Sequence, residues 1–343
     1  NEDEIALLER EINHNIQKRQ KELELTIALT NYCNFSCVYC YQNKNEKLMT
    51  TEVANMIIEK IDRILNDNIF EGINIHYFGG EPLLNIPVLI YLDENIKKIT
   101  DKIGIVYKAF LTTNGSMLSK ELLQKVKFSS IQLTFDGLEK THDRLRVSDH
   151  FHFKEEIELI ENIMNFSQAK VLLRTNICKE NKDEIIALHK YIFEKFGNER
   201  IEINPNRTIK YHQDDSFEML SVQEYAEVAY QIKLLWSEQK GKFELPVPRS
   251  TPCKFPYGNA YAISPEGYCT FCSGSMDQEK KYFFDVDIEN KKMFSVRKEC
   301  KKCNILPLCL GGCIIQYNLR AGACTYEKYE LKNILISYIK HIS

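Results

Sequence analysis

From residue 25 to residue 206 the chain alternates between two hydrophobic rhythms. Short apolar or β-branched runs predict strands at 25–30, 73–78, 105–111, 131–135, 170–176 and 201–204. Between them, apolar residues recur at helical spacing near 50–67, 84–101, 119–127, 153–167 and 182–196. Six β-then-α alternations predict a parallel, barrel-like α/β layer. The pattern alone leaves a partial barrel and an open doubly wound sheet as alternatives. A charged amphipathic helix is predicted ahead of this layer, over 1–23, with Ile5, Leu8, Ile12 and Ile16 on one face.

Beyond about residue 207 the rhythm breaks. A helical stretch at 221–239 carries the single tryptophan, Trp236, and runs into Leu245-Pro246-Val247-Pro248. A region dense in cysteine, glycine and aromatics follows up to Cys324, and a closing helix is predicted near 326–341. The expected organisation is a helical extension over 1–24, the α/β domain over 25–207, a helical bridge over 208–250, a cysteine-rich domain over 251–325 and a terminal helix over 326–343.

The polar residues at the strand ends change the picture. Each predicted strand runs at once into an unusual loop. The loops carry three cysteines, then Gly79-Gly80-Glu81-Pro82, Thr112-Thr113-Asn114-Gly115, Asp136-Gly137, Arg174-Thr175-Asn176 and Asn204-Pro205-Asn206. In a parallel barrel these loops open on one rim, where active sites sit.

Composition narrows the class. The 343 residues are 44% hydrophobic, enough for one large core or two smaller ones. A net charge of -3 gives no electrostatic pull toward nucleic acid or an anionic membrane, and no apolar run is long enough to span a bilayer. The N-terminal segment is charged rather than signal-like, and the chain begins at Asn1, which suggests a processed or trimmed form. Twelve cysteines without a secretory signal point to metal ligation in a reduced cytoplasm more than to disulfides.

Cys33, Cys37 and Cys40 stand in the spacing C-x3-C-x2-C. Three thiolates on one loop can hold three corners of an iron–sulfur cube and leave the fourth iron open for chemistry. This loop after the first strand, Tyr41 after its last cysteine, and Gly79-Gly80-Glu81-Pro82 after the second strand together resemble the radical S-adenosylmethionine (SAM) superfamily. The resemblance spans roughly residues 25–206. It implies a partial (β/α)6 TIM-like barrel and a [4Fe-4S] cluster whose open iron chelates the methionyl amine and carboxylate of SAM. It further implies reductive cleavage to methionine and a 5′-deoxyadenosyl radical that takes hydrogen from a substrate. Gly79 and Gly80 would let the backbone approach the cofactor amine, Glu81 would accept from it, and Pro82 would stiffen the turn. Asn114, Thr134, Asp136 and Arg174 are implied as ribose or carboxylate contacts. His142 reads more readily as a surface turn histidine, and Cys178 as a buried small hydrophobe.

The C-terminal field carries Cys300, Cys303, Cys309 and Cys313 at C-x2-C-x5-C-x3-C, with Cys324 beyond and Cys253 and Cys272 upstream. By spacing alone, a structural zinc site competes with iron–sulfur. The layout is similar to the SPASM domain, the α+β auxiliary-cluster module of radical SAM enzymes that modify peptides. That resemblance implies two auxiliary [4Fe-4S] clusters, Cys253, Cys272 and Cys313 on the inner one and Cys300, Cys303, Cys309 and Cys324 on the outer one. The inner set is one thiolate short. Either Cys269 bends in through a local turn, against strand alternation, or the inner cluster keeps an iron open to a substrate thiolate.

The expected function is an oxidoreductase that abstracts hydrogen from a ribosomally made precursor peptide and installs a thioether or carbon–carbon crosslink. Gly-Gly-Glu-Pro-Leu-Leu, together with Asp136-Gly137, His142-Asp143 and Arg146, looks like this peptide-maturase branch. A flavodoxin- or ferredoxin-type donor is the implied partner. The alternative is an anaerobic sulfatase-maturating enzyme forming formylglycine. That branch places an aspartate base after the cysteine closing Gly-x4-Cys, where this chain has Ser273. Residues 1–24 are too short for a leader-binding module of several strands and helices.

Overall fold

The computed structural model describes residues 2–67, 70–197, 200–210, 216–241, 243, 245–270, 272–275, 281–286, 293–313 and 324–342. Six parallel strands form the centre: β1 (Glu22–Ala28), β2 (Gly72–Phe78), β3 (Val106–Thr112), β4 (Phe128–Thr134), β5 (Lys170–Ile177) and β6 (Ile201–Arg207). They stand side by side in chain order. This settles the alternative left by the pattern. A doubly wound sheet reverses its order at a switch point, whereas a barrel steps always the same way. The chain has a partial α/β barrel.

Strand alternation divides the layer. Ile73, Ile75 and Tyr77 of β2, Ile131 and Leu133 of β4, and Val171 and Leu173 of β5 are at most 1% exposed. They pack in one core with Ile57 and Ile61 of α2 (Thr51–Asp67), Leu89 and Ile96 of α3 (Ile86–Ile103), Ile160 of the helix Phe153–Phe166 and Ile192 of the helix Ile185–Phe196. Most of the intervening positions are polar, and two pairs of them meet across strands. His76 Nε2 lies 2.7 Å from Thr112 Oγ1. Asn204 donates to Gln132 at 3.2 Å, and Asn206 to Asn204 Oδ1 at 2.8 Å. The second face of the barrel layer is therefore a polar one.

The sheet does not stop at the barrel. A short strand β7 (Ala260–Ile263) pairs in parallel with β1, and β8 (Tyr268–Thr270) and β9 (Lys281–Tyr282) extend it antiparallel. The cysteine-rich segment is thus bonded directly to the first barrel strand. The N-terminal helix α1 (Glu2–Arg19) goes with it too. Ile12 and Ile16 pack on Phe294, Val296, Leu306 and Leu310, with Cys300 and Cys303 at the edge. Asn13 exchanges two hydrogen bonds with the Phe294 backbone, at 3.0 and 2.8 Å. Acidic residues in the first turn and Lys18 and Arg19 in the last suit the helix dipole.

Two buried histidines set an acid limit on stability. Trp236 Nε1–H donates to His189 Nδ1 at 3.0 Å. His189 Nε2 therefore carries the proton and faces Thr175 Oγ1 at 3.2 Å. Burial holds His189 down to about 3, and burial with the nearby Lys254 charge holds His76 to about 4. Both stay neutral in the fold while unfolded histidines protonate near 6.5. Between those limits the unfolded chain binds more protons, so stability is complete above about pH 6.5 and falls as pH drops. The expected slope is about 1.4 kcal/mol per pH unit for each histidine. Urea midpoints measured from pH 7 to pH 5 check it, and His189→Gln should flatten the decline.

Candidate active site: the cysteine loop at the barrel rim

The cysteine loop leaves β1 and is closed at its neck. Leu29 N–H bonds Phe78 O at 2.9 Å, Met49 N–H bonds Leu29 O at 2.8 Å, and Asn31 N–H bonds Lys47 O at 3.1 Å. Asn85, just before α3, donates its side-chain amide to Leu29 O and Met49 O at 3.2 and 2.9 Å. Inside the neck lie Cys33, Cys37 and Cys40, all half-buried. Cys40 N–H bonds Cys37 O at 3.2 Å, and Phe35 N–H bonds the Cys33 sulfur at 3.4 Å.

Gly79 and Gly80 are required first by this loop. Gly80 N–H bonds Thr30 O, and Glu81 N–H bonds Tyr32 O, each at 2.9 Å. A Cβ on Gly79 would stand 2.3 Å from Thr30 O, and one on Gly80 2.2 Å from Tyr32 O. Gly79 also has φ +138°, which favours glycine. The two rim loops therefore touch backbone to backbone, which is what sets Gly-Gly-Glu-Pro beside the thiols.

Glu81 is fully buried. Its carboxylate accepts from Leu83 N–H at 3.0 Å, Thr113 O–H at 2.7 Å and Asn114 N–H at 2.6 Å. Burial raises its pKa, and those three donors oppose the rise. A carboxylate has about four acceptor positions, so one remains for a ligand. Pro82 opens the short turn Pro82–Asn85 that Glu81 caps. Asn114 donates to Asn34 Oδ1 at 2.8 Å and lies 3.9 Å from the Cys33 sulfur.

Farther around the rim, Asp136 is fully buried, accepts from Asn176 N–H at 2.7 Å and from the Tyr39 hydroxyl, and feels Arg146. Thr134 pairs in register with Arg174, whose Nε donates to Asn176 Oδ1 at 2.9 Å. Burial lowers the Arg174 pKa, with Asp136 and then Tyr41 opposing it most strongly. Tyr41 and Arg174 are thus brought to the same part of the rim.

The expectation of a surface His142 is overturned. His142 is 2% exposed, in a helix Glu139–Leu145 that the pattern did not reveal. Its Nε2 lies 3.2 Å from Glu156 Oε2, and its Nδ1 faces Asp136 N–H at 3.5 Å. Arg146, singled out with Asp136-Gly137 in the sequence, is buried beside them, whereas Glu156, Tyr39, His76 and Gln132 are site neighbours that sequence reasoning missed. Polar alternation along β2, β4 and β6 was the available signal for His76 and Gln132.

In the C-terminal region, the charge of Cys313 acts on Cys253, and that of Cys300 on Cys309. Burial raises the pKa of both Cys253 and Cys309 more strongly than those charges do. Leu310, Gly311 and Gly312 all have positive φ, a turn that aims Gly311 N–H at the Cys309 sulfur at 3.4 Å. A cavity of about 200 Å³ opens beside Cys253 and that turn. Cys272 is half-buried with Gly274 N–H 3.3 Å from its sulfur, and Cys324 is exposed. Cys269 stays in extended strand β8, 3% exposed, inside the main apolar core. A larger groove, about 570 Å³, lies between Trp236, Leu245 and Ile334, with no cysteine in its lining.

The donor set fits an iron–sulfur group. Burial raises the Cys33 thiol and pushes Cys37 up to about 11, with Arg146 pulling Cys37 the other way. Among the described residues, no three cysteine, histidine or carboxylate groups are drawn together as tightly as a single ion requires. Three thiols on one loop, a glycine cradle against that loop and a residual acceptor on Glu81 suit a larger cluster with an open corner.

Comparison with known proteins agrees. Residues 27–192 match the family model of the Radical SAM superfamily. An uncharacterized protein of Methanocaldococcus jannaschii is 34% identical over 119 residues, covering 34% of this chain and only 39% of that protein. A radical SAM cyclopropyl synthase of Paramaledivibacter caminithermalis is 24% identical over 95% of this chain and 76% of its own length. The solved structure of anSMEcpe with bound AdoMet and Cp18Cys peptide shares the fold, with a TM-score of 0.72 at 18% identity over 94% of this chain and 98% of that one. Among the described residues no helix is long and apolar enough to cross a membrane. With its strand order, cysteine loop and glycine cradle, this chain carries a radical SAM domain over residues 27–192.

Proposed function

We propose that this protein is a SPASM-type maturase that oxidises a ribosomally made peptide and closes a thioether or carbon–carbon crosslink. The observation that carries the reading is the juxtaposition, on one rim, of a three-thiol loop with a barrel face lined by amides. Cys33, Cys37 and Cys40 would hold the [4Fe-4S] cluster that binds SAM. When bound, cluster and cofactor supply hydrogen-atom abstraction from substrate, and auxiliary clusters supply an acceptor for the electron left behind.

The chain's own residues do the positioning. Glu81 offers its remaining acceptor position to the cofactor ammonium, and Arg174 a charge complementary to its carboxylate. Asn114, Thr134, Asp136 and Tyr41 complete that wall. Gln132, Asn204 and Asn206 present paired donors and acceptors, the functionality that a peptide backbone matches. The packed helices behind the strands keep water from the outer side of the site.

Cys300, Cys303, Cys309 and Cys324 would hold the outer auxiliary cluster. Cys253, Cys272 and Cys313 would hold the inner one. The position of Cys269 in the core favours the reading in which the inner cluster lacks a fourth protein thiolate and can take a substrate thiolate. A flavodoxin- or ferredoxin-type protein would supply electrons.

The peptide reading is supported by a neighbour of the same fold that has been seen with a peptide bound. Formylglycine formation is disfavoured by Ser273 after Cys272, since a hydroxyl cannot serve as the carboxylate base. Coexpression with a short peptide encoded beside this gene, followed by mass spectrometry, tests the proposal. A peptide lighter by two hydrogens, with a new crosslink in its fragmentation, is the expected result. A product whose cysteine sulfur is replaced by oxygen would favour the formylglycine reading. An unmodified peptide would contradict both.

A further inference from the structure

The segment that follows helix Glu139–Leu145 is bonded to the cysteine loop. Ser36 N–H bonds Val147 O at 2.8 Å, and Val38 N–H bonds Leu145 O at 3.0 Å. These two bonds bracket Cys37 on one side and Arg146 on the other. Arg146 is 6% exposed. Its guanidinium carbon lies 5.4 Å from the centre of the Phe35 ring, itself part of the loop. Its Nε is 4.0 Å from Glu156 Oε2 and, among the described residues, has no hydrogen-bond partner.

A buried cation with an unused donor is costly, and one counter-ion at 4.0 Å repays it poorly. Glu156 is shared with His142 on its other side. Burial works against the Arg146 charge, and the buried carboxylates Glu156 and Asp136 work for it. Cys37, for its part, feels Arg146 before any other charged group. The arrangement makes sense if further negative charge arrives at Cys37.

We infer that Arg146 is a positioning residue for the cluster site, a fixed buried cation behind Cys37 that makes the bound cluster easier to reduce. The inference rests on the reading that Cys33, Cys37 and Cys40 hold a [4Fe-4S] cluster. Adding an electron raises the negative charge on the cluster, and a cation held close in a low-dielectric interior favours the reduced state. Asp136 and Glu156 act in the opposite sense, but Arg146 is the charge that acts most strongly on Cys37.

The test is an EPR-monitored potentiometric titration of the anaerobically reconstituted full chain. The signal of this cluster is identified as the one missing from the C33A/C37A/C40A protein. Arg146→Gln combined with Glu156→Gln removes the charge pair and leaves a neutral polar side chain at each position. The ratio of reduced to oxidised cluster at fixed poise is expected to fall about tenfold, which for one electron is 59 mV. Arg146→Lys keeps the charge and should retain most of the wild-type ratio. Glu156→Gln alone frees Arg146 from its counter-ion and should raise the ratio, a reading that stands even if the double variant takes up no iron. A fully loaded double variant with an unchanged ratio would overturn the inference, as would a lowered or unchanged ratio in Glu156→Gln. A wild-type protein that binds no cluster on these cysteines would sink the underlying reading instead.

Discussion

Replacing Cys37 with Ala is expected to abolish SAM cleavage while leaving the fold almost untouched. The side chain is half-buried, and the bonds that fix its stretch of loop are backbone bonds from Ser36, Val38 and Cys40, which alanine keeps. The stability cost should be about 1 kcal/mol, a shift of a few degrees in Tm for a chain of this size. Iron is another matter. Two thiolates cannot hold a cluster that needs three, so one cluster's worth of iron should be lost and 5′-deoxyadenosine should fall to background. Cys178→Ala is the matching control. Cys178 is fully buried beside Leu145 and Phe217, with its backbone N–H held by Asn181 at 2.9 Å. Its loss should cost similar stability and leave iron and turnover unchanged. Iron determination with chromatographic assay of 5′-deoxyadenosine decides the comparison. Turnover surviving in Cys37→Ala would contradict it.

Gly80→Ala should do comparable damage by a different route. No thiol is removed, yet the new methyl group would meet Tyr32 O at 2.2 Å and Tyr32 C at 2.5 Å, both backbone atoms that cannot rotate away. Relief requires separating the Gly80–Thr30 and Glu81–Tyr32 bonds, each 2.9 Å, that hold the cysteine loop to the second rim loop. The cost should be roughly 3 kcal/mol, at the upper end for overpacking. Cluster loading should fall with it, because the loop that carries the thiols has to move. Gly104→Ala separates this from general glycine effects. Gly104 caps α3 at φ +82° with nothing within 4 Å of a new Cβ, so it should lose about 1 kcal/mol and keep its iron. Thermal melts and iron content of the two variants check the contrast.

The contrast also marks where sequence was a sufficient guide. All six barrel strands fall where hydrophobic rhythm puts them, shifted by no more than three residues at any end, because alternation at Leu23, Leu25 and Ile27 or Ile73, Ile75 and Tyr77 is a local property. Cys33, Cys37 and Cys40 were equally visible, since their spacing lies within one loop. What stayed hidden depends on distant partners. The pairing of β7 with β1 joins Ala260 to Glu24 across most of the chain, and a four-residue strand carries little pattern of its own. The helix Glu139–Leu145 is two turns long and mostly polar, so nothing in its rhythm showed that His142 is buried. Glu156 makes that burial possible from the following helix, and only the packed structure joins them. Glu81 shows the same gap in finer detail. Its place in Gly-Gly-Glu-Pro was legible, but its three protein donors at Leu83, Thr113 and Asn114 were not.

The central claim is that Cys33, Cys37 and Cys40 together support a reactive cluster. Its most direct test uses the wild-type chain, reconstituted anaerobically with iron and sulfide, reduced with dithionite and given SAM. The account predicts methionine and 5′-deoxyadenosine in equal amounts, dependent on reductant and absent from the C33A/C37A/C40A protein. An iron-loaded wild-type protein that leaves SAM intact under those conditions would contradict it.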